Sequence, residues 1–298
     1  MADNAPHAKS SAAAVSIFSN TALIGMKVVA GALTGSIAIL TEAVHSGIDL
    51  VASTVAYVSV RKSEQPPDVD HPYGHEKMES LAAVIEGMLI LVGAGIILFE
   101  STRRLISDPS VERLGVGMAV MAVSMFVNIG VSSFLYRRAR ETKSEALAAD
   151  AAHLRIDAAT SATVFLGFGL MKITGWYRTD AIVAMIVSVA IVAAGLRILT
   201  ASSRVLVDES IPDEELARVR KAIEQNNAPE LIGYHRLRAR GGEGRRHIDL
   251  HVQFHDNVTL ERAHAIAHEL EDAICAELGE ADVLIHLEPD SSADLGEK

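Results

Sequence analysis

His45 and Asp49, and again His153 and Asp157, repeat a His-x-x-x-Asp spacing. If these segments are helical, each pair stands on one helix face with one side chain above the other. Each pair lies inside, or at the start of, a long apolar stretch. An ionisable side chain at the centre of a membrane helix costs roughly 2.5–3.5 kcal/mol on insertion scales. Four of them at matched spacing therefore require a partner that offsets the cost. Two imidazoles and two carboxylates form the donor set of a tetrahedral divalent metal such as zinc. The two carboxylate charges cancel those of the cation, so the loaded site is nearly neutral, as a low-dielectric slab demands.

Two further groups have ligand chemistry. Asp68, His71 and His75 lie in the stretch Pro67–Asp68–Val69–Asp70–His71–Pro72–Tyr73–Gly74–His75. They converge on a metal if the Pro72–Tyr73–Gly74 turn folds them together; otherwise they are solvated loop residues. Residues 209–298 hold seven of the chain's 12 histidines. His251 falls on the polar side of an alternating stretch, His286 and Glu288 share a face by period two, and His264 and His268 stack at i, i+4. Glu86 lies about two turns inside an apolar segment, where pairing with Lys77 or a nearby Arg is preferred to proton carriage. Lys27 is read as snorkelling or countering an acid rather than as a ligand. Asp150, one turn before His153, is read as lying behind the site or at the membrane surface.

Six apolar segments are long enough to position these residues in a bilayer, at about 20 residues each. They run near Ala12–Ala32, Ser36–Val60, Leu81–Phe99, Val116–Leu135, Ala146–Gly169 and Asp180–Thr200. Lys9, Arg61, Lys62, Lys77, Arg137, Arg138, Arg140 and Lys143 fall on the side that holds both termini, which places that side in the cytoplasm. Met1–Ser10 lacks the basic start of a signal peptide, so the first apolar segment is expected to be retained.

The charge distribution marks a boundary. The chain is 298 residues long, 49% hydrophobic, with a formal charge of −11. Residues 209–298 carry 20 acidic against 10 basic side chains, whereas residues 1–208 are nearly neutral. This predicts a transmembrane transport domain, 1–208, followed by an acidic cytosolic metal-binding, regulatory and dimerisation domain, 209–298. The acidity argues against nucleic-acid binding, which needs a basic face. In the second domain, Asp213 to about Gln225 reads as an amphipathic helix. Ile232–Arg240 and His247–His255 read as strands joined at Gly241–Gly242. Leu260–Leu278 reads as a helix and Asp282–Glu288 as a strand, giving an α-β-β-α-β layer. The single cysteine, Cys275, allows no disulfide within the chain and is read as a packed side chain.

Three stretches carry a resemblance. They are Leu40–Thr41–Glu42–Ala43–Val44–His45–Ser46–Gly47–Ile48–Asp49, Asp68–Val69–Asp70–His71–Pro72–Tyr73–Gly74–His75–Glu76–Lys77, and Ala152–His153–Leu154–Arg155–Ile156–Asp157. In this order and spacing they resemble the cation diffusion facilitator family. The resemblance implies a homodimeric divalent-metal/proton antiporter with six membrane helices and a ferredoxin-like, metallochaperone-like cytosolic domain. It implies a transport site of His45, Asp49, His153 and Asp157, and a peripheral site of Asp68, His71 and His75. It further implies a binuclear site in the second domain from His235, His251, His264, His286 and Glu288. Bacterial relatives can carry Asp at the last position, so Glu288 is a departure. His247, His255 and His268 match no ligand of the family.

The expected function is efflux of Zn2+ in exchange for protons by alternating access. Zn2+ is expected both as transported substrate and as regulatory ligand, with Fe2+, Co2+, Cd2+, Mn2+ or Ni2+ open. The expected setting is the bacterial inner membrane, as a multi-pass protein in contact with lipid and with both termini cytoplasmic. A metal-binding receptor without transport and a membrane zinc hydrolase are the rival readings. The hydrolase needs three ligands with an open water position, and the sequence has no His-Glu-x-x-His helix.

Overall fold

The structure, a computed structural model, describes residues 6–34, 37–106, 115–174, 179–226, 228–241 and 245–291. Among these, the side chains of residues 6–8, 34, 37–42, 44, 45, 48, 104, 115–117, 164–172, 174, 179 and 180 lie outside the description. The chain divides into two compact units, Met1–Ser203 and Arg204–Lys298.

The first unit is helical: α1 (Pro6–Thr34), α2 (Ile37–Ser63), α3 (Lys77–Ile106), α4 (Gly115–Thr142), α5 (Glu145–Thr174) and α6 (Thr179–Leu206). Four stretches among the described residues are long and apolar enough to cross a membrane: Lys9–Leu33, Lys77–Arg103, Met118–Thr142 and Ala181–Leu206. This is fewer than the six read from the sequence. The two remaining helices, α2 and α5, carry Asp49 and the Asp150, His153, Asp157 set, and ionisable side chains lower the hydropathy of a span. Parts of both also lie outside the described residues.

Small residues let these helices approach closely. Ala12, Ala13, Ala82, Ala139, Ala146 and Ala151 pack with Val60, Leu135, Leu147 and Leu154 in one buried cluster. At Gly195 on α6, a Cβ would come within 2.9 Å of the Ile90 side chain on α3, so a larger residue there would push that side chain aside.

The second unit has the order α7 (Asp213–Gln225), β1 (Leu231–Gly241), β2 (Arg246–Phe254), α8 (Leu260–Leu278) and β3 (Ala281–Pro289). That order and these boundaries agree with the sequence reading to within a residue; Gly242 lies outside the described residues. Pro212 precedes α7 and three acids fill its first turn, where the helix dipole favours them. Thr259 caps α8 by accepting from the Arg262 amide, and Gly279 ends it at φ 84°. The sheet order is β1-β2-β3, with β1/β2 antiparallel and β2/β3 parallel across the α8 crossover.

Ile248, Leu250, Val252 and Phe254 of β2 form the core with Val219 and Ile223 of α7 and Ile266, Leu270 and Ile274 of α8. Both helices therefore cover one sheet face, and the alternate residues of β2 occupy the other. Cys275 is partly buried against this core, and its thiol is pushed up by burial.

Strand β1 contains an irregularity that alternation does not reveal. His235 pairs with His251, but the next partners are Arg238 and Asp249, so one extra residue is accommodated. Arg236, at φ 51°, supplies it. The bulge restores the phase, so that His235 and Arg238 both stand on the polar sheet face.

Candidate metal centres

The first group is built by α2 and α5. Asp49 Oδ1 lies 3.2 Å from His153 Nε2, and Asp157 Oδ2 lies 3.8 Å from the same nitrogen. One ligand atom from each residue falls within 4.8 Å of the others. Asp49 and His153 are buried. The three side chains line a cavity of about 500 Å³, walled mainly by apolar residues such as Ile90, Ile97 and Val187. The side chain of His45 lies outside the described residues; its backbone is in α2, one turn before Asp49. His153 Nδ1 has no hydrogen-bond partner among the described residues.

A polar network behind the group was not singled out as such from the sequence. Ser53 Oγ donates to Asp150 Oδ1 at 3.0 Å, Asn20 Nδ2 donates to Ser53 Oγ at 2.8 Å, and Ser16 Oγ lies 3.0 Å from Ser53 Oγ. Ser53 is one turn beyond Asp49, and Asp150 is nearly one turn before His153. The network thus ties α1, α2 and α5 together beside the site. The helical spacing of Ser16 and Asn20, and of Asp49 and Ser53, was the available signal. Lys27 Nζ donates to Ser46 Oγ at 2.6 Å. Glu86 is fully buried, and neither carboxylate oxygen has a hydrogen-bond partner among the described residues. The expected ion pair for Glu86 is therefore not formed there as a hydrogen-bonded contact.

The second group lies in the loop between α2 and α3. His71 Nδ1 approaches Asp68 Oδ1 at 3.1 Å and His75 Nε2 approaches Asp68 Oδ2 at 3.2 Å. The His75 contact is close but not aligned as a hydrogen bond. The turn that makes this possible is closed by Gly74 N–H donating to His71 O at 2.9 Å, with Gly74 at φ 87°. The His71 amide donates to Asp68, and this holds the Asp68 carboxyl below its ordinary range. Just beyond the loop, Glu79 at the start of α3 accepts from Lys9 and Ser63, each at 2.9 Å, and from Ser144. It joins α1, α2, α3 and the start of α5, and so fixes the frame on which the loop is hung.

The third group stands on the polar sheet face. Glu288 on β3 accepts from His251 Nδ1 at 2.7 Å and from His235 Nε2 at 2.8 Å. Burial pushes its carboxyl up, but the two imidazole hydrogen bonds outweigh that and leave it below its ordinary range. His286 pairs with His251 in the strand register and lies 3.6 Å from Glu288. The mutual set within 4.8 Å is His235, His251 and Glu288. His264 is elsewhere: it projects from α8, which covers the opposite sheet face, and stacks on His268. His247 pairs with Asp282 at 3.4 Å.

Three imidazole–carboxylate groups of this kind suit a borderline divalent cation. The family model described as the cation efflux transmembrane domain matches residues 13–207. The model described as the cytoplasmic domain of cation efflux proteins matches residues 211–290. The cation-efflux pump FieF of Klebsiella pneumoniae strain 342 is 33% identical over 271 residues, 91% of this chain and 89% of that one. FieF of Salmonella schwarzengrund strain CVM19633 is 33% identical over 269 residues, 90% and 89% of the two chains. The solved zinc form of CzrB, described as a zinc transporter, is 26% identical with a TM-score of 0.27, covering 30% of this chain and 98% of its own.

Proposed function

The chain belongs to the cation diffusion facilitator family, and from that premise we propose that it exports Zn2+ across the bacterial inner membrane in exchange for protons. It is a cation efflux transporter and an integral membrane protein, not an enzyme. The observation that carries the finer reading is the convergence of Asp49, His153 and Asp157 on one point at the edge of a cavity. His45, one helical turn before Asp49, is the fourth donor of a tetrahedral site.

In this reading α2 and α5 span the membrane with the other four helices, so that residues 1–208 form the transport domain with both termini cytoplasmic. Residues 209–298 form a ferredoxin-like cytosolic domain that dimerises and binds regulatory metal through His235, His251, His286 and Glu288. His264 would reach that sheet face only from a second copy. Asp68, His71 and His75 form the peripheral site. Lipid, protons and divalent cations are the partners, and Fe2+, Co2+, Cd2+, Mn2+ and Ni2+ are the ions to compare with Zn2+.

The coupling follows from ligand chemistry. Imidazoles bind metal only when neutral and carboxylates when ionised, so loading the site from the cytoplasm expels protons. When the helices rock outward, protons compete for the same atoms; an unperturbed imidazole titrates near ~6.5. The protonated, metal-free site then returns with its carboxylate charge offset.

The test is zinc uptake into proteoliposomes under an imposed pH gradient, with the wild type beside an Asp49→Ala/Asp157→Ala double variant. Movement that follows the gradient and vanishes in the variant supports the reading. Gradient-independent movement removes the antiport; movement retained by the variant removes the site assignment.

A further inference from the structure

Arg155 stands between His153 and Asp157 in α5 but points away from them, because residues two apart on a helix are about 200° apart around its axis. It is exposed, and its neighbour in space is Tyr136 of α4. The guanidinium carbon lies 4.8 Å from the centroid of the Tyr136 ring. Among the described residues no carboxylate or other acceptor engages it. We propose that this guanidinium binds the phosphate of an anionic phospholipid, with Tyr136 as the platform that holds it in place.

The depth of the pair follows from α4. Tyr136 lies within Met118–Thr142, one of the stretches apolar enough to cross a membrane. It is about 9 Å along the axis from the end of that stretch, inside a hydrocarbon half-thickness of about 15 Å. Phe126, Ile129 and Phe134 are exposed on the same helix, so α4 offers apolar side chains to lipid. A guanidinium at this level stays charged, and the hydrocarbon has no water to hydrate it. The Cβ of a helical residue leans toward the start of its helix, so Arg155 reaches back toward the point where α4 ends and α5 begins. Its head is drawn to the membrane surface while its stem stays in apolar surroundings. The acceptor at that level is the lipid phosphate.

Arg138 shows the contrast. Its guanidinium lies 5.7 Å from the Phe134 ring and donates to Glu141 at 2.9 Å, so its charge is answered within the protein. Arg155 has the ring without the acid. Tyr136 packs against the buried cluster that holds Leu135, Leu147 and Leu154, so the platform is fixed before a lipid arrives. A ring over one face of a guanidinium leaves its in-plane N–H groups free, and two of them match two phosphate oxygens. Arg137 and Arg140 are exposed near the end of α4, so the local potential favours a headgroup of net negative charge over a zwitterionic one. The site requires that α4 lie in the membrane; it does not depend on the transport reading.

Binding of phosphatidylglycerol to the detergent-solubilised full chain tests this, with phosphatidylcholine as the comparison and native mass spectrometry as the readout. Arg155→Leu, which suits a lipid-facing helix, is expected to weaken one phosphatidylglycerol per chain at least about 10-fold. Arg155→Lys keeps the charge without the planar fork and is expected to fall between that variant and the wild type. Tyr136→Leu is expected to weaken the same lipid about 2–5-fold, whereas Tyr136→Phe, which keeps a ring, retains it. Unchanged phosphatidylglycerol binding in Arg155→Leu overturns the proposal. Displacement of the lipid by inorganic phosphate at constant ionic strength also overturns it, by assigning the site to a free anion. So does loss of the dimer in Arg155→Leu, because the guanidinium would then meet a second copy of the chain.

Discussion

The Nε2 atom of His153 meets the Oδ1 atom of Asp49 at 3.2 Å across the α2–α5 interface, although 104 positions separate them in the chain. Each belongs to a local His-x-x-x-Asp spacing, and helix packing brings Asp49 of α2 against His153 and Asp157 of α5. Removing Asp157, which approaches the same nitrogen at 3.8 Å, leaves that interface intact but takes away a donor of the proposed site. Asp157→Ala is therefore expected to cut zinc flux at least ~10–100-fold. Gel filtration of the detergent-solubilised variant is expected to match the wild type.

Glu79 holds Lys9, Ser63 and Ser144 at once, and it is buried. Glu79→Ala removes the acceptor that Lys9, Ser63 and Ser144 share; Ser63 keeps the Val60 carbonyl at 2.8 Å. A loss of about 1–3 kcal/mol in stability is expected, read as a lower thermal midpoint.

Glu86 presents the opposite case. Its carboxylate is fully buried and has no hydrogen-bond partner among the described residues. Glu86→Leu removes that desolvation cost and is expected to raise the thermal midpoint. A lower midpoint would show that the carboxyl makes a stabilising contact.

Glu230 accepts from Arg262 at 2.9 Å, and this hydrogen bond is the first cause of its carboxyl lying below the ordinary value of 4.5. A lowered acid contributes stability that is fully present above the ordinary value and is lost as pH falls through the folded one. The pair is exposed, so the effect is small. Glu230→Gln is expected to lower the midpoint slightly at neutral pH, and the difference is expected to close as pH falls below 4.5. Thermal unfolding as a function of pH checks this.

Arg236 sits at φ 51°, a region costly for branched side chains. Arg236→Val is expected to lower stability by about 1–3 kcal/mol, while Arg236→Gly is not. Paired thermal midpoints distinguish the two.

Much of this was legible in the chain. The spacing of His153 and Asp157 reads directly as one helix face, and the Pro72–Tyr73–Gly74 turn was enough to bring Asp68, His71 and His75 together. The alternation of β2 and β3 placed His251, His286 and Glu288 on one face. Other features were hidden for physical reasons. Ser16, Ser53 and Ser144 look like the small residues that any close helix packing uses, so the helical spacing of Ser16 with Asn20 and of Asp49 with Ser53 did not stand out. Six spans were read and four are found among the described residues; in the other two, α2 and α5, ionisable residues lower the hydropathy and parts lie outside the description. In β1 a bulge adds a residue that periodicity does not register, so nothing in the alternation of the chain sets His235 and Arg238 on one face.

That bulge bears on inheritance. Between His235 and Arg238 the strand carries one residue more than its ladder uses, so the residues on the two sides of Arg236 follow opposite parity. Loss of the single codon for Arg236 would bring His235 and Leu237 into a regular ladder, with His235 still opposite His251 and Arg238 still opposite Asp249. The register of His235 and Arg238 is therefore buffered against a deletion that, almost anywhere else in a strand, would turn the following side chains over.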